Sequence, residues 1–109
     1  MSDLVVRSND ARWMVEVSLT NPGPDPRAGR LGGFTLEGVG NSFDHGSRWD
    51  LPEAPQPVAA GATTTQSFDL KAKLGERVPG PGEYTLTVMV LVGDEYMPSP
   101  AAKVTITSK

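Results

Sequence analysis

Few folded states suit the stretch Gly82–Val92, which reads Gly-Glu-Tyr-Thr-Leu-Thr-Val-Met-Val-Leu-Val. Tyr84, Leu86, Val88, Val90 and Val92 share one parity, and Glu83, Thr85, Thr87, Met89 and Leu91 share the other. That period of two belongs to a strand with one face in a core; it cannot lay an apolar stripe along a helix. The β-branched and aromatic content agrees. A run this long predicts a central strand with neighbours on both sides. Pro79-Gly80-Pro81 supplies the turn before it.

The same alternation recurs elsewhere. Asp3–Arg7 predicts a short first strand, ended by the turn formers Ser8-Asn9-Asp10. Arg12–Thr20 predicts a second, with Trp13, Val15, Val17 and Leu19 inward. Prolines 22, 24 and 26 then remove ladder donors, which predicts a long stiff loop through Gly33. Phe34–Glu37 reads as a third strand, Arg48–Leu51 as a brief edge strand and Gly61–Leu70 as a threonine-rich strand. Lys71–Arg77 has room for one helical turn. Gly93-Asp94 marks a tight reversal, and Ala101–Ser108 closes the chain with Ala102, Val104 and Ile106 inward. Twelve glycines and ten prolines in 109 residues punctuate these runs and leave little room for helix. Together they predict a single all-β domain over residues 1–109, an antiparallel β-sandwich of six to eight strands.

Three marks give this prediction a family likeness. They are Trp13 early in the second strand, Pro81-Gly82-Glu83-Tyr84 at the entry to the penultimate strand, and the closing Lys103-Val104-Thr105-Ile106-Thr107. With them the chain resembles immunoglobulin-like domains, the fibronectin type III module most of all. Asp3-Leu4-Val5-Val6, Leu19-Thr20-Asn21-Pro22-Gly23 and Val58-Ala59-Ala60-Gly61-Ala62 also resemble the bacterial cell-adhesion-related (CARDB) variant. The resemblance implies structural roles for Trp13 and Tyr84. The Tyr84 ring would be buried, with its hydroxyl bonded to backbone a few residues upstream in a tyrosine corner.

Composition argues against several kinds of chemistry. With no cysteine there is no thiolate nucleophile, disulfide or cysteine–zinc site. The net charge of −3 and the scattered basic residues, Arg27, Arg30 and Arg48 among them, offer no footprint for nucleic acid or anionic lipid. No apolar run approaches the length of a membrane span. The lone histidine, His45, sits with Asp44 and Ser47, the residue types of a hydrolytic triad. Groups so close in sequence cannot easily line up as nucleophile, base and orienter. Asp44, Asp50 and Glu53, or Asp94 and Glu95, could gather at loop ends, but no calcium-loop spacing is present. Gly32-Gly33 and Gly38-x-Gly40 do not open a helix and cradle no phosphate. No catalytic, metal or cofactor-binding residues are therefore expected.

What is left points to protein recognition. Met89 and Leu91 lie on the outward parity of the long strand, where polar residues are the rule, and Tyr96 and Met97 follow just beyond. Burial beneath the proline-rich 52–60 segment is one explanation. An exposed patch for a partner is the other. Trp49 is a further candidate anchor. The opening Met-Ser-Asp-Leu-Val-Val-Arg lacks the features of a secretory signal, so synthesis in the cytoplasm is expected. Extracellular placement would apply to an excised domain. The expectation is a non-catalytic binding or assembly module, such as an accessory or decoration subunit on a virion surface, with self-association an option. A cytosolic proteinase inhibitor presenting Asn21–Gly33 or Gly93–Pro100 is one alternative. A carbohydrate or cell-surface adhesion module using Trp49 and Tyr96 is another.

Overall fold

The computed structural model describes residues 3–40, 48–51, 54–97 and 100–108. Nine strands occur among them: β1 (Leu4–Arg7), β2 (Met14–Thr20), β3 (Arg27–Gly38), β4 (Trp49–Asp50), β5 (Gln56–Val58), β6 (Thr63–Asp69), β7 (Gly82–Val92), β8 (Glu95–Met97) and β9 (Ala101–Thr107). One helix, α1 (Leu70–Leu74), runs into a 3-10 turn at Gly75–Arg77. The architecture is an all-β sandwich. The count passes the expected six to eight because β5 and β8, three residues each, are too short to show a period.

The larger sheet has the order β1-β9-β7-β3-β4, with β5 also on β3 and β8 also on β7. Among the described residues the smaller sheet is β2-β6. As its length predicts, β7 is paired on both sides. It runs antiparallel to β3 from Tyr84 to Val92, to β9 over Gly82–Thr87, and to β8 over Val90–Val92. Val88 N bridges the gap between β8 and β9 by donating to Pro100 O at 3.0 Å. One pairing departs from the antiparallel expectation: β1 runs parallel to β9, Leu4 beside Val104 and Arg7 beside Thr107. Pairing direction between chain ends leaves no local mark.

The expected loop through Gly33 is strand from Arg27 onward. Its composition, Arg-Ala-Gly-Arg-Leu-Gly-Gly, hides the alternation. Leu31 faces Val90 and Gly33 faces Met89, so one extra residue sits at Gly32, a β-bulge. The bulge restores parity, and Leu31, Phe34 and Leu36 all end buried. Gln66, inward on β6, accepts from Leu31 N at 3.2 Å and donates to Gly29 O at 3.3 Å, which satisfies β3 backbone beside the irregularity.

Every inward position of β7 is buried, and Trp13, Val17, Leu19, Phe34, Leu36, Val88 and Val104 are sealed completely. Phe34 stacks between Trp49 at 5.3 Å and Phe68 at 5.4 Å, linking the two sheets by an aromatic column. Asp69 caps α1 by accepting from Lys71 N and Ala72 N, and also accepts from Trp13 N at 3.0 Å. Trp13 Nε1 in turn donates to Arg7 O at 3.0 Å. One carboxylate thus ties the start of β2 to the helix, and the indole ties both to β1. Tyr84 is buried, and its hydroxyl donates to Gly80 O at 2.8 Å, four residues upstream. That is the geometry of a tyrosine corner.

Candidate protein-binding surface

The outer face of the larger sheet is built from the residues that β7 and its neighbours turn away from the core. Gly93, with φ 64°, and Asp94 form the two-residue turn that folds β8 back onto β7. The turn is fixed in place. Gly93 N donates to Ala28 O at 2.7 Å, and Arg27 reaches Glu95 at 3.7 Å.

This reversal sets Tyr96 directly across from Leu91, and Leu91 directly across from Arg30. The three make one cross-strand row, close enough for their side chains to touch. Tyr96 is 64 % exposed. Leu91 and Met89 are half-buried. Of the proline-rich 52–60 segment, Gln56–Val58 pair with β3 at Arg27–Gly29, on the edge of β3 opposite β7. Leu91 lies over Gly32 and Met89 reaches Gly33, where any β-carbon would meet their side chains. The two glycines of the bulge form a trough in which the apolar side chains rest.

Two other candidates sit elsewhere. Met97 opposes Val90, an inward residue, and packs against the core. Trp49 opposes Phe34, stacks on its ring, and carries the Arg77 guanidinium 4.7 Å from its own ring centroid. It closes the edge of the sandwich between core and solvent. Tyr96 and Trp49 do not share a face, so they form no common aromatic platform. The structure brings Leu91, Tyr96 and Met89 together and adds Arg30, which lies in the stretch expected as a loop.

Among the described residues no three of His, Cys, Asp and Glu could jointly hold a metal. Asp50 pairs with Arg48 at 3.7 Å, and Glu95 with Arg27. His45, Asp44, Ser47 and Glu53 lie outside the described residues. Of the loops considered for protease inhibition, 21–33 is strand from Arg27. Its first part is pinned by buried Asn21, which donates to Asp25 O and Val58 O and accepts from Gly23 N. Glu95–Met97 is strand as well. Asn21 and Gln66 were missed as structural residues because a polar side chain in a turn or a threonine-rich strand reads as solvated. The parity of Gln66, which is that of Phe68, was the available signal.

At the opposite end of the same face Lys103 Nζ meets Glu83 at 2.9 Å. The hydrogen bond to Glu83, then its charge, hold the Lys103 ammonium above its ordinary value. Burial raises the Tyr84 phenol above 10.0. No helix among the described residues is long and apolar enough to cross a membrane. No protein-family model matches the chain, and no curated protein matches it.

Proposed function

We propose that the protein is a non-catalytic binding or assembly module that docks onto another protein through the Arg30–Leu91–Tyr96 row, with Met89 beside it. One observation carries the reading. A tyrosine 64 % exposed stands in register with an outward leucine and an arginine, on a hairpin held by a short turn and an ion pair. Tyrosine and arginine concentrate at protein interfaces because each gives a large contact area with a polar end, and rigid anchors lose little entropy on docking. An accessory subunit of a larger assembly, a virion among them, fits such a module. The tyrosine corner and buried Trp13 support the narrower likeness to fibronectin type III and CARDB modules.

Leu91→Asp and Tyr96→Ser test the reading, with Glu37→Gln as a control on the same sheet. Wild-type protein, tagged and returned to its native cells, should co-purify or co-sediment with one protein or particle in fixed stoichiometry. Both row variants should lose it while the control keeps it. A partner retained by Leu91→Asp would refute the assignment of this face.

A further inference from the structure

We infer that the partner at the Arg30–Leu91–Tyr96 row is a second copy of this chain, packed sheet against sheet about a two-fold axis lying along β7. The inference rests on the reading of that row as a docking face and names what docks there. Strand β7 has β3 on one edge and β8 and β9 on the other, so an outward residue of β7 stands in the middle of a row. Down the strand these rows are Arg30–Leu91–Tyr96, Thr35–Thr87–Ala101 and Glu37–Thr85–Lys103. Met89, between the first two, has Gly33 on its β3 side.

The first and last rows are each unlike at their two ends. One carries a cation on β3 and an aromatic ring on β8; the other carries an anion on β3 and a cation on β9. Two sheets packed face to face at about 10 Å, with a two-fold along β7, set β3 of one copy over β8 and β9 of the other. Arg30 then meets the Tyr96 ring of the second copy, and Glu37 meets Lys103 of the second copy, each contact made twice. Among the described residues Arg30 has no ion-pair partner, so the ring is a counterpart that one copy alone lacks. Leu91 and Met89 lie on the axis and meet their own copies, apolar on apolar. Glu83 also faces its own copy, and each is held by its own Lys103 Nζ at 2.9 Å, which offsets the like charge.

The apolar pair selects this axis. A two-fold running across the strands would also match charges, setting Arg30 on Glu37, but it would rest Leu91 on Thr85 and Met89 on Thr87. Burying the two apolar side chains against each other favours the axis along the strand. The rest of the face is open to such a neighbour. Val5, outward on β1, is 72 % exposed, and Val39, whose amide donates to Glu83 O, is 52 % exposed. Glu37, Thr85 and Lys103 are exposed as well. The eleven residues of β7 span about 37 Å and three strands about 14 Å, a strip of roughly 500 Å². Flanked by β1 and β5, it approaches the roughly 800 Å² per partner of a standard interface.

Sedimentation equilibrium of the full chain should show a reversible monomer–dimer equilibrium with a dissociation constant on the order of 10–100 µM. Leu91→Asp, which sets two carboxylates against each other on the axis, should weaken it about a hundred-fold or more. Glu37→Lys and Lys103→Glu each place like charges opposite one another at two points and should weaken it about ten-fold or more. Mixed one to one, these two variants should pair with each other at close to wild-type strength, because every charge at those positions then faces its opposite. Glu37→Gln, which removes a rim charge without reversing it, should cost about two-fold or less. A chain that stays monomeric up to about 1 mM would overturn the second copy as partner, while co-purification of a different protein lost in Leu91→Asp would keep the row itself. A dimer that Leu91→Asp leaves intact would overturn both. A mixture of Glu37→Lys and Lys103→Glu no stronger than either alone would overturn the axis along β7.

Discussion

Replacing Tyr84 with phenylalanine deletes one hydroxyl and keeps the ring. The ring is 4 % exposed and fills the space it filled before, so the packing contribution of β7 is unchanged. The loss includes the 2.8 Å bond to Gly80 O. Gly80 is exposed, so water can satisfy its carbonyl, and the penalty is the net value of one hydrogen bond, about 1 kcal/mol. In a domain of this size that corresponds to a fall in Tm of about 4–6 °C, or a shift of about 0.5 M in the urea midpoint at constant slope. Tyr84→Ala, which empties the site, should cost about 3–5 kcal/mol. The pH dependence adds an independent reading. Burial raises the phenol pKa above 10.0 in the folded chain, so the neutral form is favoured there. The associated stability is fully present below the unfolded value and is lost as pH climbs through the folded one. Wild type should therefore lose its margin over Tyr84→Phe above about pH 10. Urea titrations at pH 7 and pH 10.5 measure both effects. Equal stability of the two proteins at pH 7, with equal alkaline losses, would refute a bound hydroxyl at this corner.

Three further substitutions probe the frame. Gly33→Ala drives a β-carbon to 2.7 Å from Trp49 O, a backbone atom that cannot swing aside, and should cost about 1–3 kcal/mol in a thermal melt. Asn21→Ala strands Gly23 N, Asp25 O and Val58 O, one of these bonds fully buried, and should cost about 2–3 kcal/mol by urea denaturation. Asp69→Ala removes the cap of α1 and the acceptor for Trp13 N together; a loss of about 1–2 kcal/mol is expected, with changed Trp13 fluorescence.

The strands whose residues alternate between core and solvent were legible one by one. Gly82–Val92 and Ala101–Thr107 fall within a residue of the sequence expectation, and Met14–Thr20 within two. Strand β3 was half hidden. Its N-terminal part packs glycine and arginine side by side, and its bulge shifts the parity midway, so no single period describes it. Local pattern is also silent on pairing. Nothing in Leu4–Arg7 says that it lies parallel to β9, or that among the described residues β2 pairs with β6 only. For the surface, Met89 and Leu91 stood out by parity, and Tyr96 by its place beyond the turn. That Leu91, Tyr96 and Arg30 form one row depends on the registers of two strand pairs. Trp49 reads as a free aromatic until β4 pairs with β3 and sets it against Phe34.

Amide hydrogen exchange read residue by residue tests the central claim, that β7 is paired along both edges while among the described residues β2 pairs with β6 only. Along β7, amides of both parities should exchange slowly. Along β2, whose odd residues carry the ladder to β6, Val15, Val17 and Leu19 should be slow, and Met14, Glu16, Ser18 and Thr20 should exchange orders of magnitude faster. Uniform protection along β2 would contradict the two-sheet arrangement, and alternating protection along β7 would contradict the registers on which the proposed face rests.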